Sequence, residues 1–185
     1  MDIQPRISID ITSFTAQICH QHEIECRVQS VKQNGLVLLL YKNARCDMNI
    51  LDETVGAENW QREHYECKGN LFCRVGIRCE HIENHISHRE WVFKSDCGTE
   101  SNTEAQKGEA SDSFKRACFN WGIGRELYTA PFTWIPADKC NISQGKCYDK
   151  FEVEKIIIEN KRITALAIWN TTKNVRAFVW QREAK

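Results

Sequence analysis

Two adjacent cations, Lys115 and Arg116, are the clearest candidates for a binding role. The apolar residues Phe114, Ala117-Cys118 and Trp121 recur around them at the spacing of one helical stripe, which predicts that the two cations point to solvent. Neighbouring cations on a helix surface can bind successive phosphates of a nucleic-acid backbone, which gives affinity without reading sequence. From spacing alone, an ordinary solvated helix face is the more common explanation of such a pair.

Cysteine and histidine residues form two clusters that could hold a metal. The clusters are Cys79, His81, His85 and His88, and Cys19, His20, His22 and Cys26. Imidazole and thiolate are typical zinc ligands, and His81 and His85 have the four-residue spacing that places two ligands on one helix face. Structural zinc sites usually have tighter paired knuckles, so a polar hairpin loop that contains histidines is the simpler interpretation. We therefore predict no metal and no cofactor.

Carboxylates could also do chemistry, since a two-metal nuclease needs several of them at one site. The candidates are Asp47, Asp52, Asp96 and Glu100. Exposed helix positions and helix caps explain such residues without catalysis. The chain has no GxxxxGK(S/T) loop, no GxSxG segment and no HExxH segment, and Gly122-Ile-Gly124 follows a predicted helix instead of preceding one. Chemistry driven by nucleotide hydrolysis is therefore not expected.

Composition sets the broad class of the protein. The 185 residues carry 25 basic and 25 acidic side chains, but residues 47–66 sum to −5 and residues 161–185 sum to +5. The longest apolar run, Leu36–Tyr41, is far shorter than the roughly 20 residues that span a bilayer, and the N-terminal residues lack a secretory signal. We therefore expect a soluble intracellular protein whose cysteines are reduced.

The first half of the chain predicts strands around one helix. Val28–Tyr41 has the form of a hairpin that turns at Asn34-Gly35. Residues 44–55 carry apolar side chains at helical spacing (Ala44, Met48, Leu51 and Val55), and Gly56 follows as a C-cap. Two further strands are predicted at Leu71–Cys79 and Trp91–Asp96, and the residues between them, Glu80–Glu90, are predicted to form a loop.

The second half predicts one long helix and then more strands. Ser101–Glu104 has the capping-box form, and helical spacing continues from there to Gly122. After a connecting segment at Thr133–Pro136, three strands are predicted at Phe151–Ile158, Ile163–Trp169 and Val175–Trp180. The order of elements indicates an α+β fold in which an antiparallel β-sheet packs on a long helix, with extra β-strands at both ends.

The segment Ala110–Gly122, ASDSFKRACFNWG, resembles the helix signature of the Rad52 superfamily of single-strand annealing proteins. That signature has an acidic residue, then Lys-Arg-Ala, and an aromatic-Gly pair near the helix end. The earlier segments Asn43–Arg45, Val55-Gly56 and Asn59-Trp60 are similar to the family's first helix and the turn after it. Over residues 41–136 the chain is most similar to short annealing proteins encoded by phages and prophages.

The resemblance implies a β-β-β-α core that assembles into a homo-oligomeric ring or filament, with single-stranded DNA in a basic groove and its bases turned outward. By position, Lys115 and Arg116 would bind the phosphate backbone from the long helix, and Arg45 would bind it from the start of the first helix. Phe119 stands where some relatives carry a further basic residue, so it would shift the groove from charge toward stacking. Annealing by this route requires neither ATP nor a metal.

The resemblance also implies that the protein is not an enzyme and that it acts in homologous recombination and DNA repair. The implied partners are single-stranded DNA, other copies of the chain, a phage nuclease and a host single-strand binding protein, in the cytoplasm of a bacterium or a phage-infected host cell. The predicted domains are an annealing core with an N-terminal hairpin at residues 1–137 and a C-terminal strand extension on the same domain at residues 138–185. A metal-dependent nuclease and a non-catalytic interaction domain on the same fold stay open as alternatives.

Overall fold

The computed structural model describes residues 19–83, 86–99 and 105–183. In chain order, its strands and helices are β1 Ile24–Lys32, β2 Gly35–Lys42, α1 Ala44–Val55, β3 Trp60–Cys67, β4 Asn70–Glu83, β5 Ile86–Cys97, α2 Ala105–Asn120, β6 Thr133–Pro136, β7 Phe151–Glu159, β8 Arg162–Asn170 and β9 Val175–Gln181. All strand pairs within the described residues are antiparallel. The predicted α+β class with antiparallel sheets is therefore confirmed.

The described residues divide into two compact units. The first unit contains Ala44–Ile123, with both helices and a three-stranded sheet in the order β3-β4-β5. The second unit contains residues 19–43 and 124–183, with a six-stranded sheet in the order β6-β2-β1-β7-β8-β9. The predicted division into an annealing core at residues 1–137 and a strand extension at residues 138–185 stays a prediction.

In the first unit, the central strand β4 buries alternate residues. Cys73, Val75 and Ile77 are fully buried, whereas Arg74 and Arg78 are only partly buried. Because successive side chains of a strand point to opposite faces, one face of this sheet is covered and the other meets solvent. The turn between β3 and β4 is formed by Lys68 and Gly69, both with positive φ, as a tight hairpin requires.

One prediction for this sheet is wrong, and one of its strands was missed. Residues 80–83 and 86–90 belong to strands and not to a loop, because β4 continues to Glu83 and β5 begins at Ile86, with His81 paired to His88. Strand β3 was not predicted at all, although it pairs with β4 along its whole length. In β3 the side chains of residues 61–67 are all exposed, and residues 86–90 at the hairpin tip are exposed as well. A strand whose side chains are nearly all exposed lacks the apolar alternation that identifies a strand in a sequence.

The second unit buries apolar residues from five of its strands in one cluster. Leu36, Leu38, Ile135, Leu166 and Ile168 in this cluster are at most 2% exposed. The three predicted C-terminal strands are confirmed as β7, β8 and β9. The segment predicted as a connection at residues 133–136 is instead the short strand β6, which pairs with β2.

Two tight turns show how local sequence sets the register of the second sheet. Asn160 and Lys161 both adopt positive φ between β7 and β8, as predicted for a two-residue turn. In the β1–β2 hairpin the loop residues are Gln33 and Asn34, so the predicted turn at Asn34-Gly35 is displaced by one residue. Gly35 belongs to β2 instead, where a Cβ atom would collide with the Ile135 carbonyl oxygen of β6.

The bounds of α1 are those predicted, with Gly56 at positive φ directly after it. Its buried side consists of Cys46, Asp47, Ile50, Leu51 and Val55, whereas the expected stripe residues Ala44 and Met48 are half-buried. Helix α2 ends at Asn120, and Gly122 follows with positive φ. The predicted capping box at residues 101–104 lies outside the described residues.

The ten cysteines are all free thiols. Cys118, which the helical spacing predicts to be in the core, is fully buried. No helix in the described part of the chain is long and apolar enough to cross a lipid bilayer.

Candidate nucleic-acid interface

Helix α2 is attached to the three-stranded sheet by hydrogen bonds near both of its ends. Near the start of the helix, the Leu71 amide donates to a carboxylate oxygen of Glu109 at 3.0 Å. Just past its end, the Trp121 indole donates to the Val75 carbonyl at 2.9 Å. These bonds fix which side of the helix faces the sheet and which side is left for solvent.

The buried stripe predicted for this helix is confirmed. Phe114, Ala117 and Cys118 are fully buried. The Phe114 ring stacks on the Trp60 ring with centroids 6.2 Å apart, and the guanidinium carbon of Arg62 lies 4.8 Å from the Phe114 centroid. Both Trp60 and Arg62 belong to β3, so these contacts hold the Phe114 ring against the sheet. The position of Phe114 in turn determines where its neighbours in α2 are directed.

Lys115 and Arg116 follow Phe114 directly and lie off the buried stripe. Lys115 is half-buried and Arg116 is exposed. Within the described residues, Lys115 enters no ion pair. Arg116 does enter one, because its Nε donates to Asp96 Oδ1 of β5 at 3.2 Å.

The charge of Arg116 is held between two carboxylates. Burial works against the charged guanidinium, but the neighbouring Asp96 and Asp112 outweigh it, so the pKa of Arg116 is raised above its ordinary value. Nearly half of the Arg116 side chain remains exposed, at 49%. An ion pair this exposed is worth about 0–1 kcal/mol, so a phosphate group can replace Asp96 as the partner at little cost.

Phe119 and Arg45 complete the set of residues predicted to contact DNA. Phe119 follows Lys115 by one helical turn and is half-buried. Arg45 is exposed in the first turn of α1, and α1 contacts α2. The structure therefore brings Lys115, Arg116 and Phe119 onto one helix and places Arg45 on the neighbouring one. Their roles in DNA binding stay predictions.

One further cation, Lys94 of β5, lies beside α2 and was not identified from the sequence. Its Nζ donates to the Asn120 carbonyl at 3.0 Å and lies 4.4 Å from the centroid of a Trp121 ring. Lys94 is exposed and stands two residues before Asp96 on the same face of the strand. The period-2 pattern of Trp91–Asp96 could have identified this shared face, but only with the helix already placed against it.

The carboxylates considered for a two-metal nuclease lie in separate surroundings. Asp47 is buried in α1, Asp52 accepts a hydrogen bond from the Trp60 indole at 2.6 Å, and Asp96 is in the ion pair described above. Glu100 lies outside the described residues. Across the described part of the chain, no three His, Cys, Asp or Glu side chains are grouped closely enough to hold a metal ion.

The two cysteine–histidine clusters contain both buried thiols and exposed rings. Cys79 is buried with its thiol directed at the Ile77 carbonyl, and His88 is exposed. His85 and the side chain of His81 lie outside the described residues. In the second cluster Cys19 is buried, while the exposed rings of His20 and His22 stack with centroids 5.5 Å apart.

The thiols of three cysteines are poor nucleophiles. Burial, assisted by the Glu152 charge, raises the pKa of Cys26 to about 12. Burial likewise raises the pKa of Cys73 and of Cys140 to about 11 each. Because the thiolate is the reactive form, these side chains act as core residues at neutral pH.

The chain was compared with known protein families and with curated proteins. The model of the Rad52/22 family of double-strand break repair proteins matches residues 10–144, which is well over half of the chain and includes all of the described first unit. No curated protein matches the chain. The resemblance indicated by the Ala110–Gly122 segment is confirmed, whereas the closer likeness to phage proteins stays a prediction. The chain therefore belongs to the Rad52/22 family of double-strand break repair proteins.

Proposed function

We propose that this protein binds single-stranded DNA and anneals complementary strands without ATP, as a homo-oligomer acting in homologous recombination. The observation that carries the proposal is the position of Lys115 and Arg116, side by side on the solvent side of a helix, in a chain of this repair family. Adjacent cations on a fixed helix suit a regularly spaced phosphate backbone, because they supply affinity without selecting a base sequence.

The elements of the first unit support an assignment of the annealing core. Strands β3, β4 and β5 followed by α2 give the order β-β-β-α that the resemblance implies. We assign the DNA groove to the solvent side of α2, with Lys115 and Arg116 as phosphate contacts, Arg45 as a third contact and Phe119 as an apolar wall. Lys94 is a fourth cation beside the same helix.

A mechanism of this kind requires only phosphate contacts and bases that are free to pair. It involves no bond cleavage, which fits the burial of Asp47 and the separate partners of Asp52 and Asp96 better than a two-metal nuclease does. It also fits a chain of formal net charge 0, because a few cations per subunit sum to a large electrostatic term when they repeat around an oligomer.

The first experiment is an annealing assay. Two dye-labelled complementary oligonucleotides are mixed with the protein in EDTA and without ATP, and energy transfer reports duplex formation. We expect the protein to accelerate annealing over the spontaneous rate. Strand binding without acceleration would leave a binding module, and the absence of both would leave the interaction domain considered above. Cleavage of the strands on addition of a divalent metal would favour the nuclease instead.

The second experiment tests the assigned phosphate contacts. The variant Lys115→Gln/Arg116→Gln removes two charges and keeps two good helix formers, so the helix should persist. We expect it to lose most of its affinity for single-stranded DNA while its oligomeric state is unchanged. The matched control is Lys161→Gln/Arg162→Gln, which removes the same dipeptide charge from the second unit. Equal affinities of the two variants would refute the assignment.

A further inference from the structure

The face of the three-stranded sheet opposite α2 carries aromatic rings and arginines. Directly opposed residues in an antiparallel pair share a face, and so do alternate residues along one strand. Because Cys73, Val75 and Ile77 are buried on the α2 side, the residues between them belong to the other face. We call this the outer face and define it by Tyr65, Phe72, Arg74, Arg78, Trp91 and Phe93.

The rings of the outer face form two pairs. Tyr65 and Phe72 stack across β3 and β4 with centroids 5.5 Å apart and an angle of 22° between their planes. Trp91 and Phe93 lie along β5 with centroids 6.4 Å apart. Tyr65 is 37% exposed, and Trp91 and Phe93 are each 40% exposed. Large rings with this much exposure are surfaces on which another flat group can stack.

The position of Phe93 depends on the glycine opposite it. Gly76 of β4 is paired with Phe93, and a Cβ atom at Gly76 would collide with the Phe93 ring. The ring therefore lies down over the strand, in the space that any other residue type would fill. The guanidinium carbon of Arg74 lies 4.9 Å from the centroid of the same ring. The Gly76 backbone beneath the Phe93 ring and the Arg74 cation beside it hold this ring in place.

The charges of the outer face select the class of ligand. Arg74 is paired with Glu63 at 2.6 Å, and Arg89 with Glu80 at 3.6 Å. Arg78, between them on β4, enters no ion pair with a described residue. Glu80 lies close enough to attract Arg78 but is paired with Arg89, so an apolar protein surface that covered this face would bury an Arg78 charge without an ion-pair partner of its own, at high cost. A polyanion with flat bases would instead supply both a phosphate for the arginine and a stacking partner for the rings.

We propose that the outer face binds unpaired bases of single-stranded DNA by stacking, with Arg78 contacting the phosphate backbone. This site lies on the face opposite the one that α2 contacts, so it is distinct from the Lys115 and Arg116 contacts. The proposed stacking site rests on the proposed function only in taking single-stranded DNA as the ligand. Its binding free energy comes mainly from contacts with the bases, whereas α2 contacts the phosphates.

The test compares two ligands of equal length, an oligothymidine and its abasic counterpart. The variant Trp91→Leu/Phe93→Leu keeps apolar side chains in both positions and removes the stacking surfaces. We expect it to lose about tenfold or more in affinity for oligothymidine, measured by fluorescence anisotropy. Its affinity for the abasic strand should stay unchanged. The matched control is Tyr148→Leu, which removes an 80% exposed ring from the second unit and should change neither affinity.

The outcomes separate this proposal from the proposed function. Wild-type affinity of Trp91→Leu/Phe93→Leu for oligothymidine would overturn the stacking site, as would an equal loss for both ligands. A change in oligomer size with DNA affinity intact would overturn it in favour of an interface between copies. If Lys115→Gln/Arg116→Gln binds normally while Trp91→Leu/Phe93→Leu is weakened, only the α2 assignment fails. Absence of binding in the wild-type protein would overturn both.

A second measurement locates the contact directly. An oligonucleotide that carries 5-iodouracil is irradiated in complex with the full chain, and the cross-linked peptides are identified by mass spectrometry. We expect cross-links at Phe72, Trp91 or Phe93, because the excited base reacts with the ring on which it stacks. Cross-links confined to other peptides would overturn the proposal.

Discussion

Arg116 has a carboxylate partner before any DNA arrives. Its ion pair with Asp96 orients the guanidinium along the edge of α2, and Asp112 adds a second negative charge nearby. Asp112 also accepts hydrogen bonds from the amide and hydroxyl of Thr99, which ties it to the end of β5. A phosphate that binds Arg116 must therefore compete with Asp96 in particular.

We predict that Asp96→Asn binds single-stranded DNA about two- to fivefold more tightly at low salt. The amide keeps the size of the side chain but no longer neutralises Arg116, and an exposed ion pair is worth about 0–1 kcal/mol. The measurement is fluorescence anisotropy with an unstructured oligonucleotide. Asp138→Asn in the second unit gives the same change in net charge and should have a smaller effect. Unchanged or weaker binding by Asp96→Asn would contradict the assignment of Arg116.

At the scale of elements, the junction between β5 and α2 depends on close packing of two backbones. A Cβ atom at Gly98 would collide with the Glu109 carbonyl oxygen and would lie 2.9 Å from the Ser113 amide. The Gly98 amide also donates to the Leu71 carbonyl at 3.0 Å, which aligns the end of β5 with β4. The helix can therefore approach the sheet only with glycine at this position.

We predict that Gly98→Ala lowers the free energy of unfolding by about 2–3 kcal/mol, because the backbone of α2 must move away from the strand. Urea unfolding followed by circular dichroism measures the loss. The control Gly69→Ala lies in open space and bears only the cost of its positive φ, about 1 kcal/mol. A loss in Gly98→Ala no larger than in the control would refute the close approach.

Elements with one apolar face could be predicted from the sequence, and elements without one could not. The bounds of α1 and the strands β7, β8 and β9 follow from apolar spacing and turn residues. Strand β3 and the tip of the β4–β5 hairpin have mostly exposed side chains, so they lack the apolar alternation that would identify them, and backbone pairing with β4 defines them in the structure. The buried side of α1 is likewise displaced from the predicted stripe, since tertiary contacts decide which side of a helix is covered.

The same limit applies to the candidate site. The helix signature identified Lys115 and Arg116, because it is a local pattern of consecutive residues. The Asp96 partner, the Lys94 cation and the rings of the outer face come from other strands, and only their register places them together. Local sequence therefore predicts a helix that can bind phosphates, and the sheet determines what surrounds it.

At the scale of the whole molecule, a formal net charge of 0 restricts how DNA affinity can arise. A neutral chain gains little from long-range attraction, so binding depends on local cations and on how often they repeat. The proposed oligomer provides that repetition. Salt dependence is consequently a measure of assembly as well as of contact number.

We predict that the salt dependence of DNA binding steepens with oligonucleotide length. Each phosphate contact contributes about −0.7 to the slope of log K against log salt for single strands, so a monomer with the four phosphate contacts of Lys115, Arg116, Arg45 and Arg78 reaches a limiting slope of about −2.8. An oligomer exceeds this value as the strand reaches further subunits. A slope that does not change with length would contradict the repeated groove.

The order of the two units along the chain has a consequence for synthesis. Ala44–Ile123 of the first unit is one continuous stretch of sequence, whereas the second unit is assembled from residues on both sides of it. Its strand β1 must wait for β7, to which it is joined through the Glu25–Glu152 pair. On the ribosome, the unit that carries Lys115 and Arg116 can therefore fold while the β1–β2 hairpin still lacks its neighbour, and that unfinished sheet edge is where a nascent chain is most exposed to aggregation.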